Sequence, residues 1–497
     1  MLFNSPLFLF LFLPITLLGY HLIGKSKQPR LAIIWLVATS LLFYAWANPI
    51  YLALITGSVL FNYAAGMKLA RAEPARQRKL VMILGVTANI LLLGFFKYAN
   101  FFIDNTNALL GSSFHPGAII LPLAISFFTL QQVAYLVDIY RGERLEHGFM
   151  EYCLFVTFFP KLLSGPIVRL KELMPQIGKN YRPYLTWQNL AVGLTVLFLG
   201  LFKKVILADN LQVYATPVFD AAAQGTGMNF FNSWSGALAY TLQLYFDFSG
   251  YSDIAIGLGL MFGIRLPLNF YSPYKAKSII DFWSRWHMTL SRFIRDYIYI
   301  PLGGNRHGFF HQIIYLLVAM IIAGFWHGAG WTFVIWGALH GFYLAVNHIW
   351  RRVRSTPGYK AEKATWWGTV ISTLITFIAV TIAWVFFRAD SFGAAVMMLK
   401  AMALAGTDGF HPPDGFSTLA VIWISVSLFI CWFLPNVQEY MSDFRPALDK
   451  FPGKAERRFL PGLRWKPSPG WAAVIACMAI LVILGLSHVS KFIYFQF

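Results

Sequence analysis

His327 lies in the stretch Gly324-Phe325-Trp326-His327-Gly328, near the end of an apolar run at 313–326. An imidazole at membrane depth is costly unless protein or water faces it, which makes it a functional candidate. A neutral imidazole takes up a proton near physiological pH and can therefore act as general base on an attacking hydroxyl. The flanking glycines would let a substrate approach the backbone closely. The residues alone fit equally well with an interfacial histidine bonded to a neighbouring helix. A second Trp-containing His-Gly element, Trp336-Gly337-Ala338-Leu339-His340-Gly341, lies thirteen residues on. His340 reads as catalytic, as orienting, or as an interhelical hydrogen-bond partner.

A third imidazole comes from Asp281-Phe282-Trp283-Ser284-Arg285-Trp286-His287. Read as one helix, Ser284, His287 and Ser291 share a face, while Arg285 and Arg292 lie on another. His287 then either assists His327 and lines its channel or sits solvated at an interface. Asp247 and Asp253 fall inside the apolar run that begins at Tyr245. A buried carboxylate needs a cation or several donors, so ion pairs to Lys or Arg are expected here ahead of glycosidase or metal chemistry. Lys161 and Arg169 flank Gly165-Pro166; they either receive the phosphates of an anionic cytoplasmic ligand or snorkel to the interface. No GxxxxGK[ST], GxGxxG or GxSxG motif occurs, so nucleotide hydrolysis and dinucleotide binding have no support. Cys153, Cys431 and Cys477 show neither a CxxC pair nor a metal-ligand spacing, and are expected as buried free thiols.

The elements that must position these groups are read from composition. Of 497 residues, 58% are hydrophobic and 12% charged, against roughly 25% charged in a soluble domain. Mean hydropathy is +0.58. An ordinary soluble enzyme, a disordered chain and a disulfide scaffold are excluded. The apolar runs are continuous rather than alternating, which excludes a porin-like barrel. They lie near 5–23, 31–47, 49–67, 80–97, 117–137, 188–206, 234–263, 310–331, 332–349, 367–387, 418–435 and 470–488. The expected fold is an all-α polytopic membrane protein with about 11–12 transmembrane helices.

The net charge of +19 is read as orientation charge rather than a nucleic-acid footprint. Lys25, Lys27 and Arg30 follow the first run, and Lys68, Arg71, Arg76, Arg78 and Lys79 follow the third. The loop expected around 100–116 has Asp104 and no Lys or Arg. This alternation predicts an extracytoplasmic amino terminus and cytoplasmic basic loops. A cleaved signal peptide is not expected, because no basic region precedes the first run and no small-residue cleavage site follows it. Two segments look too broken to span. One is 152–168, interrupted by Pro160, Lys161, Gly165 and Pro166 and followed by Arg169, Lys171, Lys179 and Arg182. The other is 264–306, aromatic and with seven cations against Asp281 and Asp296. They are expected as re-entrant and interfacial helices. The links 351–363 (including Lys360, Glu362 and Lys363) and 438–468 are basic and read as cytoplasmic. With no internal repeat or long linker, 1–497 reads as a single membrane-embedded domain, with peripheral helices over 1–137, a motif-bearing core over about 150–350 and carboxyl-terminal helices over 365–497.

The ordered motifs resemble the membrane-bound O-acyltransferase family, and within it the bacterial polysaccharide O-acetylases. They run from Phe159-Pro160-Lys161-Leu162-Leu163-Ser164-Gly165-Pro166-Ile167 through Tyr245 to Asp253 and Asp281 to Leu290. Arg295 to Arg306, Gly324 to Gly328, Trp336 to Gly341, Trp384 to Ala389 and Phe492-Ile493-Tyr494-Phe495-Gln496-Phe497 complete the series. The resemblance implies tilted helices ringing a thinned centre, with a tunnel from the cytoplasm to the outer face. It puts the family's essential histidine on His327 and its tunnel-wall partner on His287, with His340 a further candidate. It also implies acetyl-CoA as donor substrate, its phosphates near the basic 264–306 surface (Arg285 and Arg292) and Lys161 and Arg169. No metal and no permanently bound cofactor is expected. The implied partners are the lipid bilayer of a bacterial inner membrane, a periplasmic acetyltransferase protein and a polysaccharide acceptor, without nucleic acid. D-alanyl transfer to teichoic acid, and a transporter or scaffold of polysaccharide export, are the alternatives; the absence of repeated halves counts against a transporter.

Overall fold

The computed structural model describes residues 1–26, 28–114, 117, 119–144, 147–177, 185–354, 365–405, 416–449, 464–486, 490 and 492–493. Lys27, Lys179, Arg182, Lys360, Glu362, Lys363 and the stretch Tyr494 to Phe497 lie outside the described residues. Among the described residues every regular element is helical. The amino-terminal helices are α1 (Phe8–Lys25), α2 (Pro29–Ala45), α3 (Tyr51–Arg71), α4 (Ala75–Leu110) and α5 (Ile125–Tyr140). Three short pieces follow, α6 (Phe149–Thr157), α7 (Phe159–Leu162) and α8 (Leu170–Ile177). Two long helices, α9 (Trp187–Ala223) and α10 (Phe230–Met261), form the central pair. Then come α11 (Ile279–Arg285), α12 (Met288–Ile294), α13 (Phe309–His327), α14 (Trp331–Arg354) and α15 (Trp366–Arg388). The last are α16 (Phe392–Lys400), α17 (Phe416–Phe433), α18 (Val437–Tyr440) and α19 (Pro469–Gly485). Six of these, α1, α3, α4, α9, α13 and α15, are long and apolar enough to cross a membrane. The chain is a multi-pass helical membrane protein, as its composition implied.

The apolar runs mark helices, but two helical extensions escape them. Residues expected as a loop around 100–116 continue α4 to Leu110. Their polarity is consumed locally: Asn105 Nδ2 donates to the Phe101 carbonyl at 2.7 Å and Thr106 Oγ1 to the Phe102 carbonyl at 2.7 Å. Such back-bonding hides polar side chains on a helix's own backbone. The stretch Asp209–Ala223 likewise extends α9. Of the three cysteines, Cys153 and Cys431 are buried as expected, whereas α19 turns Cys477 to the outside of the molecule.

α10 is 32 residues long and buried along nearly its whole length. Its contact with α9 is made by glycine on glycine. A β-carbon on Gly250 would lie 2.7 Å from the Gly200 carbonyl oxygen, and one on Gly257 would lie 2.6 Å from that of Gly193. Close backbone approach through small residues is how helices associate where lipid removes the hydrophobic drive. The expected ion pairs are present across this contact. Lys204 Nζ lies 2.6 Å from Asp247 Oδ1 and 2.9 Å from Asp209 Oδ1, and Lys203 Nζ lies 2.6 Å from Asp253 Oδ2. A π-helical turn over Phe202–Ala208 carries both lysines. The chain's end is tied to the same cluster: the Ile493 amide donates to Asp247 Oδ2 at 3.0 Å and Ser490 Oγ to Asp209 Oδ1 at 2.7 Å.

The broken segment 152–168 is as irregular as its prolines and glycines imply. The chain kinks at Phe158 between α6 and α7 and is buried through Val168. Side chains from other elements take its loose amides: Ser40 Oγ accepts from Phe159 at 3.0 Å, Tyr251 Oη from Ser164 at 3.2 Å and Thr289 Oγ1 from Ile167 at 3.0 Å. Irregular backbone survives at membrane depth on these terms.

Removing Lys204 leaves Asp247 buried without its cation. Lys204→Met is expected to cost about 3–5 kcal/mol, read as a fall in the unfolding midpoint in detergent. Lys204→Met with Asp247→Asn should recover part of the loss, and additive losses would refute the pairing.

Candidate active site

α13 ends at His327 inside the protein, and its last carbonyls need donors. Lys97, in a π-helical turn of α4, turns its ammonium inward to the Trp326 carbonyl at 2.6 Å, the His327 carbonyl at 3.0 Å and Ser126 Oγ at 3.3 Å. Tyr98 Oη donates to the Phe325 carbonyl at 3.0 Å. Adjacent residues of α4 thus close three successive carbonyls, and a cation at a helix carboxyl end also complements its dipole. α14 crosses the same end closely. A β-carbon on Gly324 would overlap the Phe333 carbonyl, and one on Gly337 would overlap that of Met320. Gly324, one of the glycines flanking His327 that were read as room for a substrate, is taken up by helix–helix contact.

Two of the histidines, His327 and His340, pack on Trp336, and His287 lies beside His327. The Trp336 ring centroid lies 5.2 Å from that of His327 and 4.8 Å from that of His340. His287 and His327 are 6.4 Å apart by the same measure. All three imidazoles are buried, at 0% exposure for His287, 4% for His327 and 0% for His340. Trp326 and Phe387 pack on His327 with centroids at 4.9 and 5.3 Å. Access by substrate therefore requires these rings to move.

Hydrogen bonds distinguish the rings. Trp283 Nε1 donates to His340 Nδ1 at 3.3 Å, so a neutral His340 carries its proton on Nε2. Among the described residues that Nε2 is buried without a hydrogen-bond partner, as are Trp326 Nε1 and Trp336 Nε1. In that tautomer His340 presents a donor at Nε2. His287 Nδ1 lies 3.2 Å from Asn269 Oδ1, which also accepts from Thr289 Oγ1 at 2.8 Å. With Asn269 as acceptor, His287 holds its proton on Nδ1 and presents Nε2 as the ring's basic nitrogen. Among the described residues no cluster of His, Cys, Asp and Glu could hold a metal ion.

The expected single helix through His287 is not formed. α11 stops at Arg285, Trp286 is extended, and His287 takes φ 41° ahead of α12. Ser284, His287 and Ser291 therefore do not share a helix face. Ser284 is exposed and donates to the Asp281 carbonyl at 2.6 Å. The break is what drives His287 into the core, against Phe248 at 4.7 Å between centroids.

Two recesses lie at opposite ends of α13. Beside its amino end is a basin of about 690 Å³ lined by Arg141, Arg169, Lys171, Arg306 and the carboxylates Asp138, Glu143 and Asp296. Beyond its carboxyl end is a polar recess of about 390 Å³ lined by Gln212, Thr216, Gln243, Thr332, Arg388 and Phe387, the last in contact with His327. Of the four cations assigned to the donor, only Arg169 lines the basin, and it is paired with Asp296 at 2.6 Å. Lys161 is buried on Gln131 Oε1 at 3.0 Å. Arg285 pairs with Asp281 at 2.8 Å, and Arg292 with Glu172 at 3.2 Å and Asp449 at 3.1 Å. Burial opposes ionisation of Asp296, but the bonds from Arg295 and Arg169 outweigh it and hold the carboxyl below the usual range. The pair therefore persists at neutral pH and is lost only as pH falls through that depressed value.

The sequence profile of the membrane-bound O-acyltransferase family matches residues 143–388. A peptidoglycan O-acetyltransferase of Helicobacter pylori is 46% identical over 430 residues, covering 81% of this chain and 80% of the relative. A probable alginate O-acetylase of Pseudomonas putida is 37% identical over 514 residues and covers the whole of both chains. The chain belongs to the membrane-bound O-acyltransferase family. A teichoic acid D-alanyltransferase of Streptococcus thermophilus is 28% identical over 282 residues, 53% of this chain and 68% of the relative.

In this O-acyltransferase the sequence motifs bring His287, His327, Trp336 and His340 together, and leave Lys161, Arg285 and Arg292 apart from the basin. Lys97 was missed. Its sequence signal was weak, a lysine at the last position of the apolar run 80–97; only the 36-residue helix makes it the kind of intramembrane charge that calls for a partner. Asn269 was missed as well, being one polar residue in a loop.

Lys97 holds the end of α13 that carries His327, and a positioning role for it is testable. Charge-assisted bonds are worth about 1.5–3 kcal/mol, so Lys97→Met should lower kcat by about 10- to 100-fold with little change in KM for the donor. Lys97→Arg should retain part of the rate. A fall in unfolding midpoint with kcat intact would make Lys97 a cap and nothing more.

Proposed function

We propose that the protein transfers an acetyl group from cytoplasmic acetyl-CoA toward hydroxyls of an extracytoplasmic polysaccharide, across a bacterial inner membrane and by way of a periplasmic acetyltransferase partner. The observation that carries this reading is the placement of the histidine cluster at one end of α13, between a cationic basin and a polar recess. α13 has 19 residues, roughly 28 Å at 1.5 Å per residue, which matches the hydrocarbon thickness. On this reading the basin is cytoplasmic, which the distribution of basic loops supports. The acceptor class follows the relatives, which are named for peptidoglycan and for alginate; a polysaccharide hydroxyl is common to both. D-alanyl transfer is the weaker reading, since the D-alanyltransferase match covers 53% of the chain.

The reaction assigned to the site is direct. The donor's phosphates bind in the basin, on Arg141, Lys171 and Arg306, with Arg169 fixed beside them by Asp296. Its pantetheine arm carries the thioester toward Trp336. An acceptor hydroxyl enters from the outer recess past Phe387. His327, or His287 through its Nε2, takes the hydroxyl proton as the oxygen attacks the thioester carbonyl carbon. The orphan donors Trp336 Nε1, Trp326 Nε1 and His340 Nε2 are the groups available to the oxyanion. Collapse breaks the carbon–sulfur bond, and the CoA thiolate recovers the proton from the imidazole. An ester and a free thiol result, with no oxidation or reduction.

Two measurements test this. With the partner protein present and labelled acetyl-CoA supplied, His327→Ala should reduce label transfer by about 10²–10⁴-fold; unchanged transfer sinks the general-base role. Lys171→Gln with Arg306→Gln should raise KM for acetyl-CoA about tenfold or more while kcat at saturation stays near wild type. If donor affinity does not change, the basin is not the phosphate site.

A further inference from the structure

A groove of about 890 Å³ separates α14 from α15 on the outside of the helix assembly. One half is apolar, with Phe342, Val346, Ile375 and Ala379 on its walls. The other half is polar and cationic, where Lys277, Arg351 and Arg354 meet Asn347. Along α14 the change from Phe342 to Arg354 takes roughly 18 Å. The cations come from two different elements, the loop before α11 and the last turn of α14. Among the described residues no carboxylate pairs with the Lys277 or Arg351 side chain, and both are exposed. Asn347 Oδ1 is buried without a hydrogen-bond partner among the described residues. Orientation charge alone accounts for basic residues at a helix end. It does not account for their convergence on a polar pocket that continues into an apolar trough and holds an unsatisfied acceptor.

We propose that this groove is a binding site for an anionic phospholipid, whose phosphate sits between Lys277 and Arg351, whose hydroxyl-bearing headgroup donates to Asn347, and whose acyl chain lies along Phe342 and Ile375. Basic pockets between transmembrane helices have the chemistry for such headgroups. The site abuts the histidine cluster. Tyr343, on the groove wall, lies 5.8 Å from His340 between ring centroids. Ser278, also on the wall, caps α11 by accepting from the Asp281 amide at 3.2 Å. α11 carries Trp283, the donor to His340 Nδ1. A lipid in the groove therefore braces the side of the cluster that fixes the His340 tautomer.

The test uses the full chain purified in detergent and stripped of lipid, then supplied with phosphatidylglycerol or phosphatidylcholine. Bound lipid is counted by native mass spectrometry, and the unfolding midpoint is followed in parallel. Phosphatidylglycerol is expected to be retained and to raise the midpoint, with phosphatidylcholine at least tenfold weaker. Lys277→Gln with Arg351→Gln should abolish that preference. Arg351→Lys should keep it, as should Lys25→Gln with Arg30→Gln, which neutralises two charges elsewhere. Equal retention of both lipids, or an unaltered preference in the double variant, overturns the proposal. So does an equal midpoint shift from inorganic phosphate or glycerol phosphate, which would make the pocket a plain anion site.

Discussion

A helix that ends inside a membrane protein exposes carbonyl oxygens that hydrocarbon cannot satisfy. The candidate site is built on one such end. α13 brings His327 to the middle of the protein only because Lys97 and Tyr98 supply donors to the carbonyls of Phe325, Trp326 and His327. The break at His287 obeys the same constraint. There Asn269 collects the loose groups at the start of α12, accepting from the Thr289 amide at 3.3 Å and its hydroxyl at 2.8 Å. Both histidines sit at interruptions of helical structure, and each interruption is closed by a polar side chain from elsewhere in the chain.

The same cluster separates roles by hydrogen bonding. Three imidazoles of one chemical kind become unlike because their partners differ. Trp283 makes His340 a donor at Nε2, while Asn269 makes His287 an acceptor there. Aromatic packing on Trp336, with Trp384 stacked at 5.5 Å and Phe387 at 5.2 Å between centroids, keeps the rings dry and in register.

Much of this was legible in the residues. Continuous apolar runs located the helices, and two His-Gly elements, one near the end of a run and one within the next, located His327 and His340. Asp247 and Asp253 announced buried ion pairs, although their partners, Lys203 and Lys204, are too far along the chain for spacing to name. What stayed hidden depended on tertiary context. A positive φ at His287 has no signature in Trp286-His287-Met288, so a helical face was drawn through a kink. Lys97 looked like an ordinary flanking charge at the end of a run, since sequence does not show that α4 continues beyond it or that the ammonium turns inward. Arg292 meets Glu172 and Asp449 only in three dimensions, whereas the Asp281–Arg285 pair, four residues apart on one helix, could have been read from spacing.

The paired lysines of α9 bear on how the chain enters the membrane. A lone Asp or Lys at mid-bilayer costs about 2.5–3.5 kcal/mol during insertion. α10 carries two such carboxylates, and their lysines lie 43 and 50 residues earlier in the chain. α10 with its two carboxylates is a poor independent passenger for the insertion machinery. The glycine contact lets it dock closely on α9, and docking cancels the charges. The two helices are therefore best released into lipid as a preassembled hairpin, so that the order of biogenesis is written into the same ion pairs that hold the finished core.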